Sequence, residues 1–201
     1  MAVKFMAAYV AANDPTAMLH ILLPTDLSDR ALRTAELAIS IFGTDEVRYT
    51  LVHTYYEVAV AGPLLPSTPP AMHQVAVDAL VDDERLLRAK LGTVKPTLHR
   101  LAGLGRLPTA VRREAREGRA ARVGVYPGDR PGRTILGSNT TDVIRNGHVP
   151  VLEIPLGDEA PTIRRILFAD DRSAIDKKAL SMLALVAQRT GSEVIVAHIA
   201  T

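Results

Sequence analysis

The chain has 201 residues, 47% of them apolar, a formal net charge of +2 and no cysteine. The missing cysteine excludes disulfides, thiolate metal sites and thiol nucleophiles and fits a reducing cytoplasm. Apolar stretches are long enough for a sizeable core, but Asp, Arg or Pro interrupts each of them, so none predicts a membrane span.

Residues 1–18 read as a loose extension. Lys4 followed by Phe5-Met6-Ala7-Ala8 resembles a short signal peptide, with a short apolar part and one positive charge. Met18 stands directly before the first strong strand and is a second candidate start.

His20-Ile21-Leu22-Leu23-Pro24-Thr25-Asp26 is an apolar run that ends in turn residues, the pattern of a buried parallel strand. Asp26 or Ser28 suits the cap of the next helix. In that helix Leu32, Ala35, Ala38, Ile39 and Phe42 share a face, and Gly43 ends it. Glu46 to Tyr55 is the second strand. Residues 57–71 hold five Gly and Pro (Gly62, Pro63, Pro66, Pro69, Pro70) and read as a loop. Helical spacing follows over Met72 to Leu91, carried by Val75, Ala79, Leu80, Leu86, Leu87 and Ala89. Pro96 to Ala102 is the third strand, Thr109 to Glu117 a helix, and Arg122 to Tyr126 the fourth strand. Gly128 to Gly137 is a glycine-rich loop and Thr140 to Asn146 a short helix. Val149 to Ile154 is the fifth strand, and Pro150, which lacks an N–H, places it at an edge.

Strands alternate with helices throughout. Right-handed crossovers turn that order into a doubly wound α/β fold, a five-stranded parallel sheet with helices on both faces. Ligands of such sheets sit at the carboxyl ends of the strands. After Pro155 the pattern restarts: Asp26 lines up with Asp171 and Ser28 with Ser173 without a gap. A helix bearing Ile175, Ala179, Met182, Leu183 and Val186 follows, then Val194 to His198, matching Tyr49 to His53. This is an internal repeat that covers only strand, helix and strand. The expected organisation is an extension (1–18), a full domain (19–156), a linker (157–163) and a β-α-β half repeat (164–201), either a natural design or part of a longer tandem protein.

Nine arginines between Arg100 and Arg133 make a basic third of the chain. Glu114 and Glu117 are local partners, and the aromatic residues gather at 49–56, so the stripe reads as a solvated helix face and not as a nucleic-acid surface. His53 and His198 recur at equivalent strand ends and read as packed, hydrogen-bonded residues. Asp170-Asp171 suggests a receiver-type acid pair, but the aligned first copy has Thr25-Asp26. No Walker loop, glycine-rich turn after the first strand, metal-ligand cluster or Ser–His–Asp spacing is present, so no catalytic machinery is expected.

The opening Ile21-Leu22-Leu23-Pro24-Thr25-Asp26 with Ser28, and the closing Gly137-Ser138 with Val149-Pro150-Val151-Leu152, resemble the universal stress protein family. The resemblance covers residues 19–156 and resumes from 164. It implies a Rossmann-like, adenine nucleotide alpha hydrolase-like fold and an ATP site, usually with magnesium. By resemblance Asp26, with Pro24 and Thr25 beside it, contacts the ribose or adenine, and Thr54 lines the adenine pocket through its backbone. Val123 and Gly124 flank base and ribose, and Gly137, Ser138 and Asn139 hold phosphates. Glycines let the backbone approach phosphate, and helix-start N–H groups bind the anion. Pro127, which has no N–H, stands where nucleotide-binding members carry their second glycine.

The expected function is that of a cytoplasmic stress-response protein that binds ATP and acts as a regulatory or signalling module. The alternatives are a dimerisation module without nucleotide and a small ATP-hydrolysing enzyme. Family members pair through the fifth strand, which implies a homodimer or pseudo-dimer through Val149–Ile154, with neither nucleic acid nor membrane as partner.

Overall fold

The computed structural model describes residues 19–56, 69–117, 121–125, 142–145, 150–154, 162–170 and 177–198. They divide between one compact unit spanning Met18–Leu156 and a second that holds those from Gly157 to Thr201.

In the first unit the elements run β1 (Leu19–Pro24), α1 (Asp29–Phe42), β2 (Val47–Tyr55), α2 (Pro69–Leu91), β3 (Thr97–Leu104), α3 (Leu107–Glu117), β4 (Ala121–Val125) and β5 (Val151–Glu153). A short helical stretch at 142–145 precedes β5. The sheet order is β3-β2-β1-β4-β5, and every pair is parallel. The chain therefore winds outward from β1 in one direction and then returns to fill the other side.

Side chains alternate between the two faces of each strand. Leu22 and Val52 face a core built from Ala110 and Val111 of α3 together with Val143. Ile21, Leu23, Tyr49 and Leu51 alternate with them and are also buried. Arg100, whose register also puts it on this second face, pairs with Glu84 of α2, and α1 packs beside α2. The sheet is thus covered on both sides, which explains why β1 reads as an unbroken apolar run. Each fully buried Leu or Ile contributes about 1.5–3 kcal/mol.

Local signals set the boundaries of α1. The Ser28 hydroxyl accepts from the Ala31 N–H at 3.2 Å, and Asp29 lies in the first turn, where its charge opposes the helix dipole. The helix stops at Gly43, whose φ of 74° suits glycine and whose N–H donates to Ile39 O.

Several expected boundaries shift. Helix α2 begins at Pro69 and not at Met72; a proline fits the first helical turn, where its missing N–H has no partner to lose. Helix α3 likewise begins two residues early, with Pro108 in its first turn. Strand β3 continues to Leu104. Strand β5 is shorter than expected, leaving Pro150 just outside it, and it ends the sheet as an edge.

The apolar face of α2 also differs. Val75 and Leu86 are exposed, and the buried row is Ala76, Leu80, Asp83 and Leu87. This row keeps a strict four-three-four spacing, so one helix face is buried with an acid inside it.

The second unit contains β6 (Arg165–Asp170), α4 (Lys177–Thr190) and β7 (Glu193–His198). Strands β6 and β7 form a parallel two-stranded sheet. Met182, Ala184, Val186 and Ala187 are the buried row of α4.

Candidate functional site

The strand order reverses direction between β1 and β4, and in doubly wound sheets that switch point opens a crevice at the carboxyl ends. Residues Pro24, Thr25 and Asp26 leave β1 there. Strand β4 runs alongside with Val123 opposite Leu22, so Gly124 stands beside the end of β1. Five of the expected site residues are thereby brought together by backbone position. Thr54 stands further off, on β2, on the side of β1 away from β4. Its methyl group faces α3, 3.5 Å from where a Cβ on Gly103 would be. Gly137, Ser138 and Asn139, and with them Pro127, lie outside the described residues.

A chain of hydrogen bonds builds the turn after β1. The Thr25 N–H donates to Val52 O at 2.9 Å, anchoring the turn to β2. The Thr25 hydroxyl donates to Asp83 Oδ2 at 2.9 Å and accepts from the Leu27 N–H at 2.9 Å. The His53 Nδ1–H donates to Thr25 O at 3.0 Å; a carbonyl can only accept, which places the proton on Nδ1. Leu27 takes a φ of 66°, a left-handed conformation uncommon for leucine. Asp26 Oδ1 accepts from both the N–H and the hydroxyl of Ser28. The cap of α1 is therefore Ser28. The alternative reading of Asp26 as that cap is corrected: its carboxylate orients the cap from outside the helix.

Burial separates the roles within this turn. Pro24 and Thr25 are buried, whereas Asp26 is exposed. The arrangement presents a carboxylate to solvent at the switch point, supported from beneath by packed backbone. Such a carboxylate accepts hydrogen bonds from hydroxyl or amine donors.

Sequence reasoning missed Asp83. It is 5% exposed and lies on α2 beneath the turn. Burial, and secondarily the charge of Asp26, raises its carboxyl above the usual range, against the opposing effects of the Thr25 hydrogen bond and His53. An acid within the row Ala76, Leu80, Asp83, Leu87 was the available signal.

His20 forms a separate polar cluster at the opposite end of β1. Arg48 Nη2 donates to its Nδ1 at 2.9 Å. Arginine cannot accept, so Nδ1 is bare and Nε2 carries the proton, which goes to Thr50 Oγ1 at 2.9 Å. Glu114 approaches Nε2 at 3.9 Å. Burial, then Arg48 and His99, pushes the imidazole from 6.5 down to about 4. This ring is a structural, neutral histidine.

The arginine-rich third of the chain is partly neutralised. Arg106 pairs with Asp142 at 2.7 Å and Arg100 with Glu84 at 3.4 Å. The partner of Arg100 therefore comes from α2 and not from its own segment. Among the described residues no group of three or more His, Asp or Glu could hold a metal ion. No described helix is long and apolar enough to cross a membrane.

A model of the universal stress protein family matches residues 18–155. The chain belongs to that family. Solved structures share the fold of the universal stress domain at low identity. A universal stress protein in complex with cAMP is 20% identical with a TM-score of 0.50, over 69% of this chain and 98% of that one. A putative universal stress protein from Pseudomonas aeruginosa UCBPP-PA14 is 17% identical with a TM-score of 0.53, over 90% of this chain and 61% of that one. A functionally unknown protein from Pseudomonas aeruginosa PAO1 matches at 17% identity and a TM-score of 0.52, over 90% of this chain and 60% of that one. No curated protein matches the sequence.

Proposed function

We propose that the first unit binds an adenine nucleotide, with ATP as the physiological ligand, and acts as a regulatory module in a cytoplasmic stress response. One observation carries this reading: Asp26, held by Ser28 and exposed beside β4, offers an acceptor at the switch point of the sheet. The described residues fit the nucleoside half of such a ligand. Asp26 accepts from the ribose hydroxyls or the adenine amine, and Gly124 keeps the neighbouring strand end free of a side chain. The similar structure that holds cAMP supports an adenine ligand in this fold.

The phosphate half of the reading assigns Gly137, Ser138 and Asn139 to the oxygens, with magnesium travelling on the phosphates. Bound ATP supplies a charged, bulky group whose presence or absence alters the surface around the crevice. Slow hydrolysis is incidental, because the proposed contacts bind and orient without activating a nucleophile. Calorimetric titration of ATP, with and without magnesium, tests the proposal. Saturable heat that Asp26→Ala reduces is the expected result; no heat at millimolar nucleotide overturns it.

Pro127 favours a second reading, in which the domain lacks nucleotide and works by pairing alone. The edge strand β5 and its neighbours across Val149–Ile154 would form a homodimer, or a pseudo-dimer with a second domain of a tandem chain. A strand at the end of a sheet carries backbone groups that can pair with another chain. Light scattering that finds a clean monomer at high protein concentration removes the homodimer.

A further inference from the structure

Asp83 has no part in the ligand contacts proposed above, yet it is the least economical residue near them. A carboxyl group that is 5% exposed carries a large desolvation cost. Among the described residues its one hydrogen-bond partner is the Thr25 hydroxyl. Neighbouring positions in its row are Leu80 and Leu87, both fully buried. A leucine in place of Asp83 would continue that row, so packing alone does not explain an acid there.

The hydrogen-bond directions give a reason. A threonine hydroxyl has one proton. When that proton goes to Asp83 Oδ2, the oxygen lone pairs are left to accept the Leu27 N–H. The carboxylate thus fixes the rotor, the rotor fixes the Leu27 amide, and the amide holds Leu27 at a φ of 66°. That left-handed residue redirects the chain between Asp26 and Ser28. His53 secures the same turn from β2 through the Thr25 carbonyl.

We propose that Asp83 is a positioning residue: acting through Thr25, it locks the turn that presents Asp26 at the carboxyl end of β1. The affinity part of its test rests on the nucleotide reading; the conformational part does not. Among the described residues the titratable groups that act on Asp83 are Asp26 in the turn and His53 on β2.

The test uses the full chain and begins without ligand. Amide exchange of Leu27, measured by NMR, reports the lock directly. Asp83→Ala removes the acceptor and speeds Leu27 exchange about tenfold, the equivalent of one ordinary hydrogen bond. Asp83→Asn keeps an oxygen acceptor for Thr25 and restores slow exchange. In a Thr25→Val background Asp83→Ala adds no further change, because the relay is already cut. Unchanged Leu27 exchange in a folded Asp83→Ala protein overturns the proposal, as does an equal further loss in the Thr25→Val background. With ATP as the probe, Asp83→Ala weakens binding about tenfold and Asp83→Asn restores it. Absent ATP heat in the unsubstituted protein refutes the nucleotide reading while leaving the exchange result to judge the lock.

Discussion

The pair β1–β2 and the pair β6–β7 share a construction and differ in their surroundings. Both are parallel, with Ile21 opposite Tyr49 in one and Ile166 opposite Val194 in the other. In each, a histidine near the end of the second strand donates from Nδ1 to the carbonyl that closes the first. His53 reaches Thr25 O at 3.0 Å and His198 reaches Asp170 O at 2.8 Å. Burial is where they part. Leu22 is 0% exposed, whereas the aligned Leu167 is 69% exposed. The same strand–helix–strand pattern therefore forms the same local geometry with very different amounts of apolar surface removed from water. Register and the histidine bond are set within each strand–helix–strand unit; stability comes from the layers packed on each face.

The largest expected effect tests that division. Leu22→Ala is expected to cost about 2–5 kcal/mol, since it opens a cavity beneath α3, whereas Leu167→Ala is expected to stay within about 0.5 kcal/mol. Urea unfolding followed by circular dichroism measures both, and equal costs would break the comparison.

Acid is expected to act unequally too. The folded protein holds His20 near 4 against an ordinary value of 6.5. The unfolded chain therefore takes up a proton first as pH falls. The contribution is complete above 6.5 and is lost on going down through about 4. Its size is roughly 3 kcal/mol. His20→Gln flattens unfolding free energy across that window. The residue aligned with His20 in the second unit is the exposed Arg165, so no buried imidazole stands at that place.

Gly103 sharpens the contrast at a smaller scale. A Cβ there would lie 3.2 Å from the Cβ of Ala110. Gly103→Val is expected to cost about 1–3 kcal/mol by overpacking β3 against α3, as a lowered urea midpoint.

The smallest effect concerns Asp83. Its raised carboxyl means that the folded state favours the protonated form, so stability falls as pH rises through that raised value. Asp83→Asn removes this loss and is expected to raise the urea midpoint at neutral pH while leaving it unchanged in acid. A lower midpoint at neutral pH would show that the carboxylate stabilises the fold.

Much of this was legible along the chain. The run from His20 to Asp26 announced a doubly covered strand because Ile21, Leu22 and Leu23 follow one another with no polar residue between them. Ser28 and Gly43 bounded α1 because capping and positive φ are properties of single residues. Asp83 and the face of α2 were hidden for the opposite reason. Val75 and Leu86 obey helical spacing as well as Ala76 and Leu87 do, and only the sheet beneath decides which row is buried. Asp82 and Asp83 are equivalent in composition, yet one meets solvent and the other meets Thr25.

By itself, then, the order of residues determined the alternation of strands and helices, their parallel winding and the turn at Thr25-Asp26, since these follow from periodicity and local backbone preference. Tertiary structure alone decided which acid is buried, which histidine is kept neutral and which of two like strand pairs lies deep in a core. Those outcomes depend on desolvation and on partners distant in the chain, and neither is written in the neighbours of a residue.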